Sequence, residues 1–238
     1  YDFIPTKAIS HGLVNATAAQ PEGWSTTFIE RIAGTTLPGY TAFSREDVLQ
    51  AARLLLSEYP SFRIKPVLAT AGRGQVVINT LNALEPALAA QNDTELSQCG
   101  VVLEAQLEDV VTYSVGQFRL PGLTASYIGT QRLTRDNRGE EVYGGSRLRV
   151  HRGGFHELYE LTDDPELRKA VEIASTYDAA ADLCFPDFFA SRRNYDVAAG
   201  VNARGERLVG VLEQSWRIGG ASRAEIAAME VLNANTDC

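Results

Sequence analysis

Cysteine is scarce in this chain, and basic charge is in short supply. Cys99, Cys184 and Cys238 stand far apart and in odd number. No zinc spacing and no disulfide framework follows from them. They read as buried or free thiols of a reducing compartment, and the expected location is cytoplasmic. Apolar runs are short: none approaches the ~20 residues that a membrane helix needs, and no signal-peptide pattern is visible. Lys and Arg number 22 against 30 Asp and Glu, a formal net charge of −8. That balance argues against general nucleic-acid binding, which needs a positive footprint. Arg192-Arg193 and the stretch from Arg132 to Arg149 are the local basic exceptions. Nucleotide motifs of the Walker and Rossmann types are missing, as are Ser/His/Asp and Cys/His constellations at recognisable spacing.

What is present suits a packed protein. The 238 residues, 45% hydrophobic and 22% charged, suffice for one large domain or two small subdomains around a real core. The chain is organised around Arg63 to Ile78, which reads as strand, glycine loop and strand. Phe62 and Ile64 alternate with Arg63 and Lys65, the pattern of a half-buried strand. Pro66 cannot donate to a sheet ladder, so the strand ends or lies at an edge there. Gly72 and Gly74, with Arg73 between them, allow a sharp turn and a close backbone approach to a ligand. Successive N–H groups in such a turn suit an anion, and Lys65 leaves its strand just before it. A plain hairpin with a basic surface residue is the competing reading, because lone glycine motifs are weak evidence.

A second pattern lies near the C-terminal end. Gly210 to Gly220 is an apolar strand carrying Glu213, Ser215 and Arg217 at alternate positions, which places them on one face. Asp196 lies upstream in an apolar setting, and Gly200 to Glu206 reads as a hairpin loop. Asp196 and Glu213 are therefore expected to be cross-strand neighbours. Two carboxylates and a hydroxyl are hard oxygen ligands, as Mg²⁺ on nucleotide phosphates requires. Without a metal, like charges side by side repel.

Lys7, then Lys65 with Gly72-Arg73-Gly74, then Val102-Leu103-Glu104, then Asp196 and Glu213-Gln-Ser-Trp-Arg217, occur in an order that resembles the ATP-grasp superfamily. Within it the chain is similar to the bacterial ATP-grasp-type family DUF3182. The resemblance covers Lys7 to Gly220. It implies an α+β ATP-grasp fold, two subdomains gripping a nucleotide between them. Residues 1–36 and 100–238 would form the larger subdomain with the metal site, and 37–99 the smaller lid. The α/β domain that usually precedes is expected to be missing, in a chain that starts at Tyr1.

The implied activity is ATP- and Mg²⁺-dependent joining of a carboxylate, through an acyl phosphate, to an amine or thiol. A small-molecule kinase and a nucleotide-binding regulatory protein are the alternatives. Lys7 and Lys65 would hold phosphates, with Gly72, Arg73 and Gly74 folding over them. Glu104 would accept from the adenine amino group, and the backbone at Ala105 and Leu107 would meet the ring edge. Asp196, Glu213 and Ser215 would bind Mg²⁺, Ser215 standing where the family most often has Asn. Arg217, with Lys65, would stabilise the transferring group. Thr112 stands where the family often has a ribose-binding carboxylate, with Glu108 or Asp109 as substitutes. The implied partners are ATP, a small carboxylate or peptide and an amine acceptor, without nucleic acid or membrane; a homo-oligomer is left open.

Other elements are read from local signals. A helix is expected over Thr6 to Val14, and another over Thr26 to Ile32. A short strand follows at Leu37 to Phe43. Ser44 caps a helix to Tyr59, with Asp47 completing a near capping box. Thr80 starts a helix to Ala90. Thr112–Arg119 and Gly122–Gln131 are read as an antiparallel pair about a Pro121-Gly122 turn. Arg132 to Gly145 is expected to be a long, substrate-facing loop. Leu148 to Val150 reads as a strand, Pro165 to Cys184 as a helix, and Ser222 as the start of a last one. Arg192 and Arg193 fall on opposite faces if their segment is a strand.

Overall fold

The computed structural model describes residues 1–69, 73–135, 137, 139 and 141–234, without the side chains of 133, 141 and 142. It separates into two compact units. One comprises Tyr1–Val110 with Gly200–Leu208, the other Val111–Ala199 with Val209–Cys238. The class is α+β, with a four-stranded and a five-stranded sheet.

The first unit begins with a 3-10 helix, Lys7–Ser10, whose N-cap Thr6 accepts from the Ala8 N–H. The expected helix to Val14 stops there, because His11 is already extended. Gly12 then offers its carbonyl to Thr41 N–H at 2.9 Å, a tertiary bond that competes with helix continuation. Helix α1 (Thr26–Arg31) is capped by Ser25. Strand β1 (Gly39–Ala42), helix α2 (Arg45–Glu58), strands β2 (Phe62–Pro66) and β3 (Val76–Ile78), helices α3 (Leu81–Ala89) and α4 (Asp93–Cys99), and strand β4 (Val101–Ala105) follow. Ser44 Oγ accepts from Asp47 N–H at the start of α2. Thr80 caps α3 in the same way.

The sheet order is β1-β4-β2-β3, and β2 and β4 run antiparallel with Ile64 opposite Leu103 and Arg63 opposite Glu104. Alternation then sorts the faces. Phe62, Ile64, Leu103 and Ala105 pack with Val48, Ala52, Leu55 and Leu84 in one core. Lys65 and Glu104 fall on the opposite face. Proximity of β1 to β4 requires Gly39, since a Cβ there would lie 2.5 Å from the Leu103 carbonyl oxygen.

The second unit holds most of strands β5 (Glu108–Leu120), β8 (Arg192–Val201) and β9 (Arg207–Ser215), together with β6 (Leu123–Arg135), β7 (Glu141–Arg152) and helices α5 (Phe155–Glu160), α6 (Pro165–Cys184) and α7 (Ser222–Ala234). The order is β7-β6-β5-β8-β9. Pro121-Gly122 makes the expected two-residue turn, with Leu120 opposite Leu123 and Gly122 at φ +75°.

The long loop expected over 132–145 is a correction. β6 continues to Arg135, and β7 starts at Glu141 opposite it. The glycines misled: the register shifts between Arg132 and Leu133, so Gly144 is the extra residue of a bulge inside the ladder rather than loop material.

The division by contacts also differs from the expected subdomains. Residues 1–36 group with β1 to β4, tied by Thr41 Oγ1 donating to the Ala8 carbonyl at 2.7 Å. The tip of the β8–β9 hairpin lies with them, Arg204 donating to the Glu58 carbonyl at 3.0 Å.

Candidate functional site

In the first unit, charged residues meet on the sheet face that carries no α2 or α3. Lys65 and Glu104 are buried there and form an ion pair between Lys65 Nζ and Glu104 Oε1. His11 Nε2 lies 3.3 Å from the other oxygen, Oε2. Burial would raise the Glu104 carboxyl. The Lys65 charge, the His11 hydrogen bond and charge and the Lys65 hydrogen bond together outweigh it and hold the group at about 2. The residue is therefore a carboxylate with both oxygens engaged. Expected as an adenine acceptor, Glu104 is placed as the counter-ion of Lys65, and His11 is a partner that sequence reasoning left unassigned.

Lys7 lies in the same unit. Its Nζ donates to the carbonyls of Ala69 at 3.0 Å and Val67 at 3.4 Å. The fold thus brings two lysines from distant positions to the segment where β2 gives way to the glycine loop. Gly72 lies outside the described residues. Arg73 is exposed, and Gly74 takes φ +68°, a left-handed value that favours glycine. Ala105 donates its N–H to the Pro38 carbonyl at 2.8 Å, and Leu107 is buried.

In the second unit, Asp196 and Glu213 stand on the adjacent strands β8 and β9. Their charges act on one another. Burial first, then Glu213, pushes the Asp196 carboxyl up to about 7, against hydrogen bonds from Asn194 and Gln131 and the charge of Arg192. Asn194 Nδ2 at 3.0 Å and Gln131 Nε2 at 2.8 Å both donate to Asp196 Oδ1. Oδ2 accepts no hydrogen bond among the described residues. An ionised carboxylate has about four acceptor sites, so two amide donors leave it others.

Arg217 departs from the expected alternation, while Ser215 is the last residue of the strand that carries Glu213. β9 ends at Ser215, so alternation no longer governs Arg217. Arg217 is exposed, and its Nη1 donates to the Ile218 carbonyl at 3.3 Å. Ser215 is half-buried, its Oγ 3.5 Å from the Arg217 carbonyl. Arg192 and Arg193 do point to opposite faces: Arg192 to Glu225, Arg193 to Asp178 and Asp182.

Sequence reasoning missed Gln131, Asn194, Tyr127 and Glu225. Asn194 was within reach, because it shares the parity of Asp196 on β8. The others come from strands and a helix remote in sequence and carry no local signal.

The acidic pair fits a small divalent cation. Among the described residues no group of three or more His, Cys, Asp or Glu is arranged to hold a metal. Mg²⁺ is ordinarily held by one or two carboxylates, with water and substrate phosphate oxygens completing its octahedron. Two adjacent carboxylates supply that part. No helix among the described residues is long and apolar enough to cross a membrane.

A family model described as "Protein of unknown function (DUF3182)" matches residues 1–238. No curated protein matches the sequence significantly. Among solved structures, a D-alanyl-alanine synthetase A from Vibrio cholerae is similar at 13% identity and a TM-score of 0.49, over 78% of this chain and 51% of that one. An N5-carboxyaminoimidazole synthetase from Staphylococcus aureus, complexed with ADP, is similar at 15% identity and a TM-score of 0.44, over 84% and 45%. The biotin carboxylase domain of a 2-oxoglutarate carboxylase from Hydrogenobacter thermophilus, complexed with MgADP, ADP and bicarbonate, is similar at 16% identity and a TM-score of 0.48, over 84% and 40%. The chain spans about half the length of these structures or less. At TM-scores below 0.5 they are distant likenesses, and no function is carried over from them.

Proposed function

The chain belongs to the DUF3182 family, and we propose that it is the nucleotide- and metal-binding part of an ATP-grasp-type ligase. The reaction would activate a carboxylate as an acyl phosphate for attack by an amine or thiol. One observation carries the reading: Asp196 and Glu213 sit side by side on neighbouring strands. Two like charges in such a place are unfavourable without a counter-ion, and here Asn194 and Gln131 favour the charged form of one of them.

Asp196, Glu213 and Ser215 would hold Mg²⁺, which neutralises charge developing on a transferring phosphoryl group. The protein's own task is then positioning. Lys7, Lys65, Gly72, Arg73 and Gly74 would bind phosphate oxygens. Glu104 and His11 keep Lys65 fixed, so that its ammonium needs little reorganisation when a phosphate arrives. The backbone at Ala105 and Leu107 would border the base. Arg217, exposed and planar, suits phosphate oxygens through a two-pronged contact. The identity of the carboxylate and amine follows from none of these groups.

The test is incubation with Mg-ATP and pooled metabolites, followed by mass spectrometry and ADP release. A condensed product with ADP and phosphate supports the ligase. A phosphorylated product without condensation moves the reading to a kinase. ADP release that survives Asp196→Asn overturns the site.

A further inference from the structure

On the sheet face that bears Asp196, one arginine reaches three parts of the second unit. Arg192 starts β8 and is largely buried. Its guanidinium forks onto Glu225 of α7, with Nε to Oε2 and Nη2 to Oε1, the latter at 2.6 Å. Glu225 is 1% exposed. The remaining nitrogen, Nη1, donates to the backbone carbonyls of Ser215, at 2.9 Å, and of Arg217. Those carbonyls are the last of β9 and the first of the turn after it. The arginine therefore ties the exit of the strand that carries Glu213 and Ser215 to both β8 and α7.

A second chain of bonds runs from the same glutamate to the other carboxylate. The Tyr127 hydroxyl lies against Glu225 Oε1 and 3.0 Å from Asn194 Oδ1. Asn194 in turn donates to Asp196. Tyr127 stands on β6 and must pass over β5 to reach Asn194 on β8. Gly116, directly opposite it, makes the passage: a Cβ there would lie 2.3 Å from the tyrosine oxygen. Burial first, then the Glu225 charge, holds the tyrosine well above its usual pKa, so it stays a phenol and a donor.

Glu225 is thus the common anchor of two arms, one ending on Asp196 and one on the strand end beyond Glu213. We infer that the Arg192–Glu225 pair is a positioning device that sets the spacing of Asp196 and Glu213 for their cation. Two features separate this from an ordinary staple for α7. Nη1 is directed at β9, not at the helix. The tyrosine arm ends, through Asn194, on Asp196 and not on the helix. Outer partners that orient metal-binding groups typically alter affinity 10- to 100-fold when changed. The inference rests on the reading that Asp196 and Glu213 bind a divalent cation.

The experiment measures Mn²⁺ binding to the full chain with ADP, by the electron paramagnetic resonance signal of free Mn²⁺, beside the melting temperature. Wild type and Asp196→Asn establish the site: binding by the first and not the second is required, and binding by neither overturns the cation reading and this inference with it. Arg192→Lys keeps the charge but loses the fork. Its Mn²⁺ affinity is expected to fall at least tenfold. Arg152→Lys is the control, because Arg152 starts from β7 and grips the Leu232 carbonyl near the other end of the same helix. Its Mn²⁺ affinity is expected to stay within twofold, whatever its melting temperature. Equal affinities in wild type and Arg192→Lys, or equal losses in both arginine variants, overturn the inference alone. Should Arg192→Lys not fold, Glu225→Gln, which keeps shape and removes charge, decides by the same thresholds.

Discussion

The two units treat buried carboxylates in opposite ways. In the first, Glu104 lies between a lysine and a histidine and is held at about 2. In the second, Asp196 lies beside Glu213 and is held at about 7. Burial raises both carboxyls, so its direction does not separate them; the neighbours do. The first cluster is balanced and stabilises the fold as it stands. The second sets two carboxylates against one another, and an added positive charge would relieve it. An opposite-charge pair reads as a fixed ammonium, and a like-charge pair with amide donors on one member reads as a cation site.

The sharpest way to break the balanced cluster is Glu104→Gln. It leaves the Lys65 ammonium buried without its counter-ion, which typically destabilises by about 3–5 kcal/mol. Chemical denaturation is expected to show a loss of that size. The pH dependence has a fixed sign. The folded value of Glu104 is depressed, so its contribution is full above the ordinary 4.5 and is lost as pH falls toward 2. Wild-type stability should decline through that window, and the variant should decline less.

Asp196→Asn tests the unbalanced pair and should act with the opposite sign. The folded value is raised from 3.8 to about 7, so the wild type loses stability as pH rises through this range. The asparagine keeps an acceptor for Asn194 and Gln131 and does not titrate. Without divalent metal the variant should match the wild type near pH 4 and exceed it at pH 8. The group is only half-buried, so solvent screening limits the difference to about 1–3 kcal/mol. A variant less stable than wild type at pH 8 would show that Asp196 is held by attraction.

Arg217→Ala should have the smallest effect on folding, within about 0.5 kcal/mol, because the side chain is exposed and, among the described residues, bonds its neighbour's carbonyl alone. Its effect on ADP release should be large if it meets the transferring group. Unchanged release would remove it from the site.

Both clusters were partly legible in the sequence. The hairpin signal at Gly200 to Glu206 placed Asp196 and Glu213 on adjacent strands, and the structure has them there. Lys65 was read at the end of its strand, and Pro165 to Cys184 is helical to the residue. Capping residues and period-2 alternation are local rules, and these features obey them. What was missed depends on contacts distant in sequence. Glu104 looked like a strand-end acceptor because its partners lie 39 and 93 residues away. Arg217 was given the face of Glu213 because alternation was carried past the end of β9. Gly144 and Gly145 signalled a loop because a bulge and a loop use the same residue. Glu225 carries no signal of its own in the sequence, and only the fold reveals Arg192 and Tyr127 around it.

The central claim is that Asp196 and Glu213 form a cation site, and Glu213→Gln tests it most directly. Melting temperatures are measured at pH 8 with and without saturating Mg²⁺ and ADP. A ligand at ~100 times its dissociation constant stabilises by about 2.7 kcal/mol. The wild type should gain a shift of that order. The variant should start at or above the wild-type melting temperature without metal and gain little with it. A variant that melts lower without metal, yet keeps the full Mg²⁺-dependent shift, would contradict the claim.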